Sequence, residues 1–274
     1  FSFVESSEVM MTNIKRVQQA IVEGETYQVN YTARLTDNIY YPISTLYERL
    51  TQFSNGNYTA LLQTDEIQVA SISPELFFQK GQFNNVDNVI ISKPMKGTMP
   101  RGKTEAEDQQ YYKTLQTSSK DRAENVMIVD LLRNDIGRIS QSGSIKVYKL
   151  FFIEAYKTVF QMTSMVSGTL KNNTDLTQIL TSLFPCGSIT GAPKLNTMKY
   201  IKQLESSPRG IYCGAIGLLL PTEDDKMIFN IPIRTIEYKY GQAIYGVGAG
   251  ITIDSKPKDE VNEFYAKTKI LEML

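Results

Sequence analysis

Cys213-Gly-Ala-Ile-Gly-Leu-Leu219, Met227-Ile-Phe-Asn-Ile-Pro-Ile233 and Ala243-Ile-Tyr-Gly-Val-Gly-Ala-Gly-Ile251 follow one another with only short polar breaks. All three are apolar and read as strands, with no segment of helical period between them. Consecutive strands without a crossover helix pair antiparallel. Working outward, a helix is predicted from about Lys258 to Leu274, and helices over Leu176–Leu183 and Pro193–Leu204 precede the run. Further upstream, strands fit Ile145–Phe152 and Thr158–Gly168, and two helices fit between Lys103 and Arg133. Strands near Tyr58–Gln63, Ile67–Ile72 and Val89–Ile91 follow a helix around Ser44–Phe53. Thr26–Asp37 reads as a strand. Met10, Ile14, Val17 and Ile21 recur at helical spacing behind a Ser6-Ser7 cap. Strands come in groups with helices between the groups. That pattern predicts an α+β fold of mostly antiparallel sheet rather than a doubly wound one. No repeat or linker divides the chain, so one compact unit is the simplest reading.

Composition narrows the chemistry. In 274 residues, 29 lysines and arginines balance 29 aspartates and glutamates. That balance argues against a nucleic-acid or polybasic membrane surface. No histidine is present, which removes Ser-His-Asp and Cys-His catalysis and zinc–histidine sites. Acid–base work falls to carboxylates, lysines, tyrosines or the two cysteines. Cys186 and Cys213 are too few for a disulfide scaffold and read as reduced thiols in a cytoplasmic protein. No apolar run is long enough to span a membrane. The chain starts at Phe1, which suggests a fragment of something longer.

Gly97-Thr-Met-Pro-Arg-Gly102-Lys103-Thr104 matches the phosphate-binding pattern GxxxxGK[ST]. Pro100 removes one cradle amide, and Glu105, Glu107 and Asp108 would repel a triphosphate. Asp130, the candidate Walker B partner, lies in a helical pattern. Glu260, Glu263 and Lys267 sit at i, i+3 and i+7 of the last helix, on one face. Two such carboxylates with a third from elsewhere make an oxygen site for Mg²⁺, and the third could be Glu124. The same spacing also suits a solvated face with a Glu–Lys pair. Arg234 reads as a strand-end charge or a bidentate carboxylate clamp. Gly248 and Gly250 read as a bulge or as a close amide approach to an anion. Tyr212 reads as a core aromatic or a ligand. Lys96, between Pro94 and Gly97, reads as a solvated loop lysine or a desolvated nucleophile.

Taken together the segments resemble the chorismate-utilising enzymes, from about Glu23 to the C-terminus. The resemblance rests on ordered blocks: Tyr27-Gln28-Val-Asn30; Ser73-Pro74-Glu75-Leu76-Phe77; Pro94-Met-Lys96-Gly97-Thr98-Met-Pro-Arg101-Gly102; and Asp121-Arg-Ala-Glu124 through Asp135. Further blocks are Phe184-Pro-Cys-Gly187-Ser-Ile-Thr190-Gly191-Ala-Pro-Lys194, Pro208-Arg-Gly210-Ile-Tyr212-Cys-Gly214, Arg234-Thr235, Gly248-Ala-Gly250-Ile and Glu260-Val-Asn-Glu263. The resemblance implies a β-sandwich core of mostly antiparallel strands wrapped by helices. It implies a single chorismate-binding catalytic domain over 1–274 that lacks an N-terminal portion. It also dissolves the P-loop reading, because Pro94–Gly102 becomes a loop that meets a carboxylated ring.

Carried over by position, the resemblance implies Glu124 and Glu263 as Mg²⁺ ligands, with Glu260 a ligand or its neighbour. Gly97 and Thr98 would meet the ring carboxylate. Tyr212, Arg234 and the amides of Gly248, Ala249 and Gly250 would hold the enolpyruvyl carboxylate. Lys267 would be a further carboxylate partner, and Thr190 would line the pocket. Gln28 stands where water-using members carry a lysine base, so it marks the ammonia-using branch. Lys96 marks the aminodeoxychorismate branch, as a nucleophile on the ring, with Glu75 as general acid. Ammonia would come from a glutamine amidotransferase subunit, in folate-precursor synthesis.

Two rivals stay open: the anthranilate branch, disfavoured by Lys96, and a scaffold that binds without turnover. The chain departs from the family pattern where Gln161 stands in place of a frequent histidine and Cys186 in place of a glycine.

Overall fold

The structure, a computed structural model, describes residues 1–53, 56–222, 224–239 and 241–274. The chain runs β1 (Ser2–Phe3), α1 (Ser7–Val22), β2 (Gln28–Asp37), α2 (Ile43–Phe53), β3 (Tyr58–Gln63), β4 (Gln68–Ser73), β5 (Leu76–Phe83), β6 (Val86–Lys93) and β7 (Met95–Pro100). Next come α3 (Glu105–Thr117), α4 (Ser119–Ile139), β8 (Lys146–Ala155), β9 (Val159–Thr169) and α5 (Leu176–Leu183). The rest is β10 (Gly191–Ala192), α6 (Lys194–Leu204), β11 (Ile216–Leu219), β12 (Met227–Asn230), β13 (Thr235–Lys239), β14 (Gln242–Ile251) and α7 (Pro257–Thr268). The fold is α+β. Among the described residues, no helix is long and apolar enough to cross a membrane.

Two compact units are woven from separate stretches. The first comprises Phe1–Pro74, Pro185–Ala215 and Ile231–Leu274; the second comprises Glu75–Phe184 and Ile216–Asn230. Each owns one sheet. The first sheet has the order β1-β2-β14-β13-β4-β3, with β10 on β2; the second has β11-β12-β5-β6-β9-β7, with β8 on β9. The named pairings are antiparallel in both.

In the first unit, Ser6 caps α1 by accepting from the Val9 amide, and α1 then buries Met10, Ile14, Val17 and Ala20 on one face. These meet Val29, Tyr31, Ala33 and Leu35 of β2 and Tyr245, Val247, Ala249 and Ile251 of β14. Both strands give every second residue to the core, as the pleat requires. Full burial of each large side chain is worth about 1.5–3 kcal/mol. On β14 the other face carries Gly246, Gly248 and Gly250, so that face is bare backbone. The second unit buries Phe77 and Phe78, with Phe229 stacked on Phe78 at 4.8 Å. A smaller cluster of Leu115, Ile153, Phe160 and Met162 lies beneath α3.

The structure moves several predicted boundaries. The strand predicted over Met227–Ile233 stops at Asn230, because Ile231-Pro232-Ile233 turns on itself, Ile233 N donating to Ile231 O at 2.7 Å. The strand predicted from Cys213 starts at Ile216, since Cys213 has φ +64° and sits in a turn. β13 fills the gap read as a break, so the terminal three-strand run is four strands. The last helix ends at Thr268 and tightens into a 3₁₀ turn over Lys269–Met273. β5 and β7 appear where no strand was read.

Candidate active site

The bare face of β14 organises the candidate residues of the first unit. A Cβ on Gly246 would lie 2.3 Å from Tyr212 Cδ1, so the Tyr212 ring rests directly on that glycine's backbone. Desolvation pushes the Tyr212 phenol well above its usual pKa. β13 pairs with β14 only as far as Ile236 opposite Tyr245. From Gly246 to Ile251, β14 has β2 on one side alone, so alternate amides face away from any strand. Arg234 stands at that end of β13 with φ +52°. Burial raises the Tyr245 phenol, and the positive charge of Arg234 opposes that rise. Among the described residues Arg234 is paired with no carboxylate, and its side chain is half-buried. This suits a carboxylate clamp better than a surface charge.

Lys267 ties α7 to the same strand. Its Nζ lies 2.7 Å from Glu263 Oε1 and donates to Gly248 O at 2.6 Å. The i,i+4 pair considered from spacing is therefore present. Thr190 is 1% exposed, and its hydroxyl donates to Cys186 O at 2.6 Å. Its carbonyl accepts from Asn30 N at 2.8 Å, which joins it to β2. Gln28, on β2, is 1% exposed, and its Oε1 has no hydrogen-bond partner among the described residues. The first unit thus gathers Tyr212, Arg234, Gly248, Ala249, Gly250 and Lys267 about one strand end, with Gln28 on the neighbouring strand β2 and Thr190 in the turn hydrogen-bonded to β2.

The second unit holds the other candidates. Glu75 directly precedes β5, is 4% exposed, and adjoins buried Leu76 and Phe77, the apolar neighbourhood expected from sequence. Lys96 and Gly97 lie on β7, half-buried, and Thr98 is exposed. Gly97 has φ +81°, and a Cβ there would lie 2.9 Å from the Asp121 carboxyl. Only glycine fits both demands without strain. Asp121 stands in the first turn of α4, and Glu124 follows three residues later on the same helix face.

The magnesium expectation meets a partial donor set. Among the described residues, no three Asp, Glu or Cys side chains cluster closely enough to hold a metal. Two carboxylates share a face of α7. Glu260 is 5% exposed and accepts from Ser255 Oγ at 2.7 Å, whereas the Glu263 side chain is half-exposed on Lys267. Mg²⁺ commonly takes one or two protein carboxylates, with water and substrate oxygens completing the shell. The α7 pair fits that requirement.

Comparison with known proteins gives these features a context. A family model described as chorismate binding enzyme matches residues 2–273. The chain belongs to the chorismate binding enzyme family. The match begins well before Glu23, the approximate start of the resemblance read from the sequence. The chain is 39% identical over 254 residues to aminodeoxychorismate synthase component 1 of Bacillus subtilis (strain 168), covering 93% of this chain and 53% of that protein. It is 34% identical over 260 residues to anthranilate synthase component 1 3 of Haloarcula marismortui, covering 94% and 50%. Among solved structures it resembles anthranilate synthase component I from Streptococcus pneumoniae TIGR4, with TM-score 0.87 and 28% identity over 98% of this chain and 58% of that one. The chain spans about half the length of the curated relatives it matches.

Within this family member, the P-loop lookalike is explained by its own acidic residues. Gly102 N donates to Asp108 Oδ1 at 2.8 Å and Lys103 N to Glu107 Oε2 at 2.9 Å. Arg101 forks onto Asp108 at 2.7 and 2.6 Å. The amides that would cradle phosphate are spent on α3. Asp130 sits in α4 and pairs with Arg133.

Sequence reading gave no role to Arg209, although it lies in a quoted block. It is the first unit's buried hub. Its guanidinium forks onto Glu205 at 2.9 and 2.6 Å and donates to Ile189 O and Asn30 O, each at 2.7 Å. Burial lowers its pKa, but the Glu205 hydrogen bonds and charge outweigh that, and the net shift is upward. Nothing in a Pro-Arg-Gly string signals such a role, because beyond Glu205, four residues back, its partners come from two other segments.

Proposed function

We propose that this chain aminates chorismate to 4-amino-4-deoxychorismate, with Mg²⁺ bound and with ammonia supplied by a glutamine amidotransferase subunit. The observation that carries the reading is Lys96 on the irregular stretch of β7, with glycine demanded at 97. The name aminodeoxychorismate synthase component 1, borne by a relative 39% identical, supports the branch, and the word component supports a partner subunit.

The chemistry is two allylic displacements. The neutral Lys96 amine attacks C2 of chorismate, the ring double bond shifts, and the C4–O bond breaks. Glu75 gives a proton to the departing hydroxyl, which leaves as water. Ammonia then forms the C4–N bond, the double bond shifts back, and the C2–N bond to Lys96 breaks. Lys96 leaves as the neutral amine, and the proton lost by the incoming nitrogen returns to the Glu75 carboxylate, which restores both groups. The net exchange is hydroxyl for amine at one carbon, with water released.

The buried Gln28 Oε1 is an acceptor that can take an N–H of ammonia but cannot act as a base. Tyr212, Arg234 and the outward amides of Gly248–Gly250 would hold the enolpyruvyl carboxylate. Gly97 and Thr98 would meet the ring carboxylate. Thr190 would act through its backbone turn, its hydroxyl being committed to Cys186. Lys267 would leave Glu263 for substrate or stay as that carboxylate's counter-charge. Glu260, Glu263 and Glu124 would hold Mg²⁺, which neutralises a carboxylate and withdraws electrons from the ring.

The test is incubation with chorismate, Mg²⁺ and ammonium salt, with products identified by mass. 4-Amino-4-deoxychorismate is expected. Anthranilate would replace this reading with the second one, which the 34% identity to an anthranilate synthase component favours. Chorismate bound but unchanged would leave the non-catalytic scaffold.

A further inference from the structure

Gln161 touches the segment that bears Lys96, and no role has yet been given to it. It lies on β9 and is 8% exposed. The ladder between β7 and β9 slips there: Met95 faces Thr163 and Thr98 faces Gln161, so three steps on β7 span two on β9. The extra residue falls at Lys96–Gly97, where Gly97 takes φ +81°. This is a β-bulge with glycine in the left-handed region. Such a bulge re-aims one side chain and leaves main-chain groups without their ladder partners.

The Gln161 amide takes the place of those partners. Its Nε2 donates to Gly97 O at 2.8 Å, and its Oε1 accepts from Thr98 Oγ1 at 2.9 Å. One neutral side chain thus supplies a donor and an acceptor to consecutive residues of the bulge. A carboxylate would accept but not donate, and asparagine is one methylene short. The surroundings are acidic: Glu154 on β8 registers opposite Gln161, held by Lys93 at 2.6 Å and by Tyr156, and Asp121 packs on Gly97.

We propose that Gln161 is the positioning residue for Lys96: its amide clamps the bulge at Gly97 and Thr98 and so fixes the origin from which the lysine reaches the ring. The inference rests on the reading of Lys96 as nucleophile. Misplacement of a reacting group by about 1 Å costs on the order of 100-fold in rate, which sets the scale of the expected effect.

The test uses the full chain with two variants, Gln161→Leu and Gln161→Glu, in the amination assay. Gln161→Leu removes both bonds, and kcat is expected to fall about 10- to 100-fold. Gln161→Glu discriminates between positioning and mere structural support. As a carboxylate it repels Gly97 O; once protonated it donates to Gly97 O and accepts from Thr98. Facing a carbonyl and Glu154, its pKa is raised, so the variant-to-wild-type ratio of kcat should climb as pH falls from about 8 to about 5. The ratio cancels every limb the two proteins share. A flat ratio, or Gln161→Leu with undiminished kcat, overturns the inference. If Gln161→Leu fails to fold, the Gln161→Glu ratio still decides. Failure of the underlying reading looks different: the wild type makes no product, or Lys96→Ala keeps full turnover.

Discussion

Each unit contains an arginine that forks onto a carboxylate, and the two forks do different work. Arg209–Glu205 in the first unit is buried, with side chains 14% and 7% exposed; Arg101–Asp108 in the second is more open, at 35% and 22%. Arg209 also donates to carbonyls of β2 and of the turn before Thr190. Arg101 reaches one loop carbonyl, Tyr156 O, and lies over the Phe160 ring. Equal hydrogen-bond geometry therefore does not mean equal leverage. A desolvated charge must be fully satisfied, so the pieces that satisfy it cannot move apart. A solvated pair tidies the amides of a glycine turn and can be lost cheaply.

The contrast can be broken by substitution. Arg209→Leu should cost about 3–5 kcal/mol, because it leaves Glu205 buried without its counter-charge; denaturant melts check this. A loss near zero would mean that water reaches Glu205. Arg101→Leu should lower the melting temperature far less, since its partner stays hydrated. The smallest expected effect is in acid. The Arg101 hydrogen bond holds the Asp108 carboxyl below its usual pKa. A lowered folded pKa contributes stability above the unfolded value, which is lost as pH falls through the folded one. Below about pH 4 the melting temperatures of wild type and Arg101→Leu should therefore converge. A gap that stays constant to lower pH would exclude the ion pair as its source.

Much of the fold was legible where one period dominates. α1 shows four core residues at helical spacing behind its serine cap, and β3 and α5 fall where they were read. β5 was missed because Gln79, Lys80 and Gly81 interrupt its apolar run, although Lys80 itself is buried. β7 was missed because Pro94, Gly97 and Pro100 read as a loop. Its irregular pairing is a bulge, and bulges are set by the partner strand rather than by local sequence.

Lys96, Glu75, Arg234 and the α7 carboxylates were legible as motif residues. The bare face of β14 was half-legible: the alternate glycines are visible, but not that Tyr212 lies on Gly246. Gln161 and Arg209 were opaque as working parts, since cross-strand register and buried hydrogen bonds join segments far apart in the chain.

The most direct measurement compares wild type with Lys96→Ala in chorismate, Mg²⁺ and ammonium, following both product and intact protein mass after acid quench. The account predicts 4-amino-4-deoxychorismate from the wild type, together with a transient adduct on the protein equal to chorismate less water. It predicts neither from Lys96→Ala, which should still bind chorismate. Undiminished product from Lys96→Ala would contradict it.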